Sequence, residues 1–127
     1  MAYRTQVRIR YGEVDSQGVV FNAHYLAYID DVFDTWLREL NPSFEKLGWE
    51  VMLKAAQLEW HGPAGIGDVL DVVAEVVRWG STSLDVRFEL GVDGRQVVTA
   101  MITYVGVTIG EHRPIPPPDE ILSHLNA

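Results

Sequence analysis

The stretch from Tyr11 to Leu40, YGEVDSQGVVFNAHYLAYIDDVFDTWLREL, constrains the fold more than any other part of the chain. A short polar loop containing Asp15 and Gly18 runs straight into a long periodic segment. There Tyr25, Leu26, Tyr28, Ile29, Val32, Phe33, Trp36, Leu37 and Leu40 recur at three- and four-residue intervals. Asp30, Asp31, Asp34, Arg38 and Glu39 fall between them. That period lays the large apolar side chains along one side of a helix. The stripe is broad and aromatic, more than a helix resting on the outside of a sheet requires. It reads as a helix wrapped by other elements, and the chain beyond residue 50 reads as the strands that wrap it.

Thr5 to Tyr11 sets Val7, Ile9 and Tyr11 against Gln6, Arg8 and Arg10, the pattern of a strand with one wet face. Asn22 is a natural N-cap for the helix, its side chain accepting an orphan backbone N–H. Asn41-Pro42 ends the helix, because proline disfavours a helical residue before it. Pro42 to Gly48 suits a short helical turn. Four strands are then expected. The first, Val51 to His61, ends at Gly62-Pro63. Val69 to Arg78 (VLDVVAEVVR) is nearly continuous in aliphatics, which suits a strand covered on both faces. Ser83 to Val92 points Leu84, Val86, Phe88, Leu90 and Val92 inward. Asp93-Gly94 signals a type I′ hairpin into a last strand from about Gln96 to Val107. After the extended Pro114 to Pro118, Pro118-Asp119 opens a short terminal helix through Leu125.

One strand, one long helix, then four strands with hairpin connections predict an α+β domain. Its five-stranded antiparallel sheet is expected to wrap around one long central helix, the hot dog fold. Such a sheet keeps an open edge, and open edges are closed by pairing with a second copy. A homodimer or homotetramer is the expected assembly.

At 127 residues the chain is expected to be a single domain, 1–127, that buries a core without metal or disulfide help. It has no cysteine, which excludes disulfides, Cys-ligated zinc and thiol nucleophiles. The formal net charge is -8, from 18 acidic against 10 basic residues, and the cations are scattered, so nucleic acid is not an expected partner. Trp49, Trp60 and Trp79 show no base-stacking pattern with interleaved cations. No leader pattern opens the chain and no apolar run approaches the ~18 residues of a membrane span. A cytoplasmic protein without a membrane partner is expected. His24, His61, His112 and His124 never fall at metal-ligand spacing, so no metal site is expected.

The loop and helix resemble the signature of the 4-hydroxybenzoyl-CoA thioesterase family and its acyl-CoA thioesterase relatives. The matching residues are Val7, Arg8 and Tyr11, then Asp15, Gly18, Val20, Asn22, Tyr25 and Tyr28. Pro63, Ala64, Gly67 and Asp68 within WHGPAGIGDVL resemble the family's Pro-Ala…Gly-Asp turn. Gly80 to Leu84 (GSTSL) resembles its Ser-Leu strand start, and Val97 to Val107 matches the last strand in pattern. The Asp15–Tyr25 loop is the specific part. The resemblance implies hydrolysis of an acyl- or aroyl-CoA thioester, in a dimer or a tetramer of dimers, with water as co-substrate and no cofactor. Some branches carry a histidine where this chain has Asn22, and others carry asparagine.

By that resemblance Asp15 occupies the catalytic aspartate position. Its chemistry alone favours a turn carboxylate that satisfies N–H groups and the helix dipole, and it is the resemblance that reverses this. A carboxylate can attack a thioester directly or activate water, and the thiolate leaves with little protonation, so no Ser-His-Asp set is needed. The same resemblance places the oxyanion site at the free amides of the helix start, near Asn22 to His24. Gly18 lets the loop turn sharply and approach the acyl group. Asn22 is a cap or a water-positioning amide. His24 is an exposed helix-start histidine or a donor to an anionic substrate, and His61 is a candidate for the cleft. Tyr25, with Tyr28, Ile29 and Val32, belongs to the core or the acyl pocket. The coenzyme A phosphates need cations or backbone N–H groups, and the donors around one turn are Arg78, Ser81, Thr82, Ser83 and Arg87, with Arg113 on the tail. Two rival readings are an acyl dehydratase on the same fold and a non-catalytic module that binds acyl-CoA or an acyl carrier. The dehydratase wants a neighbouring acid and histidine that Asp15 and Asn22 do not provide.

Overall fold

The computed structural model describes residues 2–127. Five antiparallel strands form one sheet: β1 (Tyr3–Arg8), β2 (Glu50–Trp60), β3 (Val69–Trp79), β4 (Ser83–Val92) and β5 (Arg95–Val107), in the spatial order β1-β3-β4-β5-β2. The helices are α1 (His24–Leu40) and α2 (Asp119–Asn126), and short 3-10 turns run over Tyr11–Glu13 and Phe44–Leu47. Among the described residues no helix is long and apolar enough to cross a membrane.

α1 is 17 residues long and buries Tyr25, Tyr28, Ile29, Val32, Phe33, Trp36 and Leu37. Two stacked ring pairs fasten it to the sheet: Phe33 on Tyr104 of β5 at 4.5 Å and Trp36 on Tyr3 of β1 at 5.2 Å. The Tyr104 phenol also donates to Asp30 at 2.8 Å. Each such side chain buried contributes about 1.5–3 kcal/mol. The helical layer is not α1 alone. Ile121 and Leu125 of α2 join the same core, and His124 Nε2 lies 2.7 Å from the Trp36 carbonyl oxygen.

Several local expectations change. β1 stops at Arg8, and Tyr11, expected to point inward, is 82% exposed on the following turn. β3 alternates, with Leu70, Val72 and Ala74 buried but Val69 and Val77 exposed, because helices cover only one face of the sheet. The β2–β3 connection is not a hairpin. β2 pairs with β5, from Glu50↔Val107 to Trp60↔Val98, while β3 takes β1 and β4 as neighbours. The chain from Gly62 to Asp68 therefore crosses from one side of the sheet to the other. β4 and β5 form the hairpin at Asp93-Gly94, where φ is +49° and +83°, the doubly positive pair of a type I′ turn.

Candidate active site

Between β1 and α1 the chain folds into a narrow hairpin. Val14 bridges Val20, and the Asp15 N–H donates to the Val19 carbonyl at 2.8 Å. Gly18 makes the return with φ +78°, its N–H donating to the Asp15 carbonyl at 3.0 Å. A side chain here would force an L-residue into left-handed backbone. Half-buried Asp15 accepts the Gln17 N–H on Oδ1 at 2.8 Å, an Asx turn.

The crossing segment holds this hairpin down. Val19 bridges Gly65, and the Val20 N–H donates to the buried Ala64 carbonyl at 2.9 Å. Asp68 Oδ2 accepts the Gly65 N–H at 2.8 Å, while its carbonyl accepts the Ile9 N–H at 2.9 Å. Pro63-Ala64…Gly67-Asp68 thus fastens both the end of β1 and the Asp15 loop.

The helix start differs from its sequence reading. Asn22 is exposed and is not the cap. Ala23 holds that place in helical geometry (φ -70°, ψ -18°) with no side-chain hydrogen bond. Ala23 is already helical and the Phe21 carbonyl takes the His24 N–H at 2.8 Å, so the turn is closed by the backbone rather than by the asparagine side chain. The His24 amide is therefore committed. Among the described residues the amides of Asn22 and Ala23 keep no backbone acceptor, and they stand at the positive end of the helix dipole.

Beside them lies a cleft of about 320 Å³, lined by Val19 and Val20, by Asn22 and Tyr25, and by Trp60 to Pro63. Tyr25, Asn22 and His61 thus meet in one place, whereas Asp15 and Gly18 do not line the cleft and their hairpin reaches it through Val19 and Val20. His61 Nε2 lies 2.9 Å from Thr99 Oγ1. Burial pushes the Tyr25 phenol up. His24 does not join this group. It lines a separate cavity of about 580 Å³ toward β1, with Arg10 and Asp31.

The anticipated phosphate donors stay apart from the cleft. Arg78 Nε donates to Asp85 at 2.7 Å, and Arg87 donates to Glu75 at 2.8 Å, each pair facing across the β3–β4 ladder. Arg113 pairs with Glu111 at 2.9 Å. Ser81, Thr82 and Ser83 lie at the β3–β4 turn, where Leu84 pairs with Tyr104, whereas the cleft sits where Leu90 pairs with Val98. That separation is roughly 20 Å of strand at about 3.3 Å per residue.

The sequence reading missed Glu13. It is the buried charged residue of the described chain, 6% exposed. Its Oε1 accepts the Arg10 N–H at 2.8 Å and the Tyr28 phenol at 2.9 Å, and its Oε2 accepts the Arg10 guanidinium at 2.6 and 3.0 Å. Burial alone would raise this carboxyl, but the hydrogen bonds from Arg10 and Tyr28 outweigh it and hold the group at about 2. Arg10 three residues earlier was the one signal in the sequence. Tyr28 approaches only through the fold.

That depressed value makes a stability prediction. Between its folded value of about 2 and the ordinary 4.5, the unfolded chain binds the Glu13 proton and the folded chain does not. The contribution is therefore complete above 4.5 and disappears as pH falls through 2. Melting temperatures across this window should fall less steeply in Glu13→Gln than in wild type, and equal slopes would contradict the assignment.

The sequence pattern of the thioesterase-like superfamily matches residues 9–125. This chain belongs to that superfamily. The acyl-CoA thioester hydrolase YbgC of Escherichia coli is 29% identical over 85 residues, covering 65% of this chain. The match spans 63% of the length of that hydrolase. The 1,4-dihydroxy-2-naphthoyl-CoA thioesterase Slr0204 from Synechocystis superposes with a TM-score of 0.85 at 17% identity, covering 98% of this chain and 96% of that one. The protein SAV2348 from Staphylococcus aureus, solved in complex with CoA, gives 0.87 at 14% identity, covering 98% and 81%. At these identities the likeness shows the shared fold, a hot dog sheet of five antiparallel strands with helices on it.

Proposed function

We propose that the protein is an acyl-CoA thioesterase, hydrolysing an acyl- or aroyl-CoA thioester to the free acid and coenzyme A. The observation that carries this reading is the Asp15 loop pinned beside the open amides of the α1 start. A cleft of about 320 Å³ lies against both the loop and the helix end. The relative named as an acyl-CoA thioester hydrolase supports the same reaction class.

In this reading the thioester carbonyl sits at the helix start and its oxygen faces the amides of Asn22 and Ala23. Asp15 either adds to the carbonyl carbon, giving a mixed anhydride that water opens, or takes the proton of an attacking water. The carbonyl π electrons move onto oxygen, where the amides and the helix dipole stabilise the negative charge. When the carbonyl re-forms, the C–S bond breaks and coenzyme A leaves as thiolate. Tyr25 and His61 line the acyl path.

Assembly completes the substrate site. β2 is an edge strand of 11 residues with Met52, Leu53, Ala55 and Ala56 exposed beside Lys54 and Gln57, and so long an unpaired edge favours pairing with a second copy. Two-fold antiparallel pairing sets the Trp60 end of one β2 against the Glu50 end of the other. The Gly80–Ser83 turn of the second copy then comes to the side of the cleft and supplies the phosphate donors this chain keeps at a distance. Sedimentation should give a dimer or a dimer of dimers, and Ala55→Lys should shift it to monomer. A monomeric wild type would remove this arrangement.

The deciding experiment is thiol release from short, medium, long-chain and aromatic acyl-CoA thioesters. Turnover of at least one supports the reading. Tight binding of an acyl-CoA without turnover would replace it with a binding module.

A further inference from the structure

We propose that Glu13 is a positioning residue that fixes where the Asp15 loop lies against α1. The inference rests on the thioesterase reading only for its kinetic consequence. Glu13 ties together three points of the chain that are separate in sequence. Its carboxylate takes both the backbone and guanidinium donors of Arg10, before the loop. Its carbonyl accepts the Phe21 N–H at 3.2 Å, where the loop ends. Its Oε1 also takes the phenol of Tyr28, in the first turns of α1, at 2.9 Å. Asp15 is two residues away, inside the closure that these bonds make.

The choice of a charged anchor has a physical reason. An apolar side chain at this place would bury area without direction, whereas hydrogen bonds to an ionised acceptor are short and angle-dependent. Four donors on one carboxylate define its position, and with it the start of the hairpin. The clamp also reaches the cleft wall, because the Tyr28 ring meets Tyr25 edge-on at 6.0 Å. His24 Nε2 stands 3.6 Å from Glu13 Oε2, on the open side of the cluster. Arg10 is 80% exposed while Glu13 is 7% exposed as side chains, so the cation covers the carboxylate from solvent and the helix holds it from within.

The test compares wild type, Glu13→Gln and Tyr28→Phe by residue-resolved amide hydrogen exchange and by thiol release. In Glu13→Gln the Asp15 and Gly18 amides should exchange about tenfold faster while β4 amides keep their rates. The kcat should fall about tenfold with KM within about twofold, and Glu13→Gln should add nothing in an Asp15→Asn background. Tyr28→Phe keeps the ring, removes one donor and should show the same pattern at smaller amplitude, which also serves if Glu13→Gln does not fold. Wild-type exchange in the loop, or a uniform rise across all strands, overturns the proposal, as does an unchanged kcat in an active enzyme. If wild type hydrolyses no thioester, the thioesterase reading falls by itself and the exchange pattern alone decides the clamp.

Discussion

Asp15→Asn should leave a folded protein that releases thiol about a hundredfold or more slowly, with KM little changed. The substitution is close to isosteric, and an amide oxygen can still accept the Gln17 N–H that Asp15 Oδ1 accepts at 2.8 Å. The Asx turn should persist, and because Asp15 is only half-buried on a loop, stability should change by less than about 0.5 kcal/mol. What is lost is the charge, and with it both the nucleophile and the base. Steady-state kinetics on the best thioester, with a thermal melt alongside, separates the outcomes. A variant as fast as wild type would make Asp15 a turn residue that merely favours the helix dipole, and the proposed site would be wrong.

The largest stability effect is expected at Gly106→Ala. A Cβ on Gly106 would overlap Trp49 Nε1 and lie 2.7 Å from Cε2 and 3.0 Å from Cζ2. The indole is fully buried. The glycine backbone is held as well, its N–H donating to the Thr82 carbonyl at 2.7 Å and its carbonyl accepting the Ile115 N–H at 3.0 Å. Overpacking between two fixed partners should cost about 3 kcal/mol, lowering the melting temperature by roughly 10 °C for a chain of this size. Gly106 pairs with Val51 near the Glu50 end of β2, away from this chain's own cleft at Trp60, so the thermal melt is the measurement that reads the overpacking. An unchanged melting temperature would mean that the indole does not pack on this strand.

Much of the fold was legible because its signals are local. The apolar period of Tyr25 to Leu37 appears as the buried face of α1, and the inward set Leu84 to Val92 is buried residue for residue. Asp93-Gly94 turns where its backbone preferences allow. The Arg78–Asp85 ion pair was within reach too. Once a turn is placed at Gly80–Thr82, the hairpin register sets Arg78 opposite Asp85, but Glu75 comes opposite Arg87 only through the bulge between Val76 and Arg78. Arg78 and Arg87, anticipated as phosphate donors, each also face a carboxylate across the ladder. Asn22 failed for a different reason: a cap preference is a statement about side chains, and here a backbone carbonyl arrived first.

The sequence by itself determined the elements and their chemistry: an aromatic-faced helix behind an Asp-Gly loop, four later strands, a hairpin and an acidic, cysteine-free composition. Periodicity and turn preference act over a few residues, so they survive without knowledge of neighbours. Only the tertiary structure decided that β2 leaves β3 and takes the free edge of β5, sending Gly62 to Asp68 across the start of α1. That crossing places Ala64 under Val20 and His61 beside Tyr25, and it builds the cleft. Only the tertiary structure, likewise, turned Glu13 from a loop carboxylate into a buried anchor. Its Tyr28 partner comes from 15 residues further along the chain. Burial and strand order are settled by what packs against what, and no local pattern carries that information.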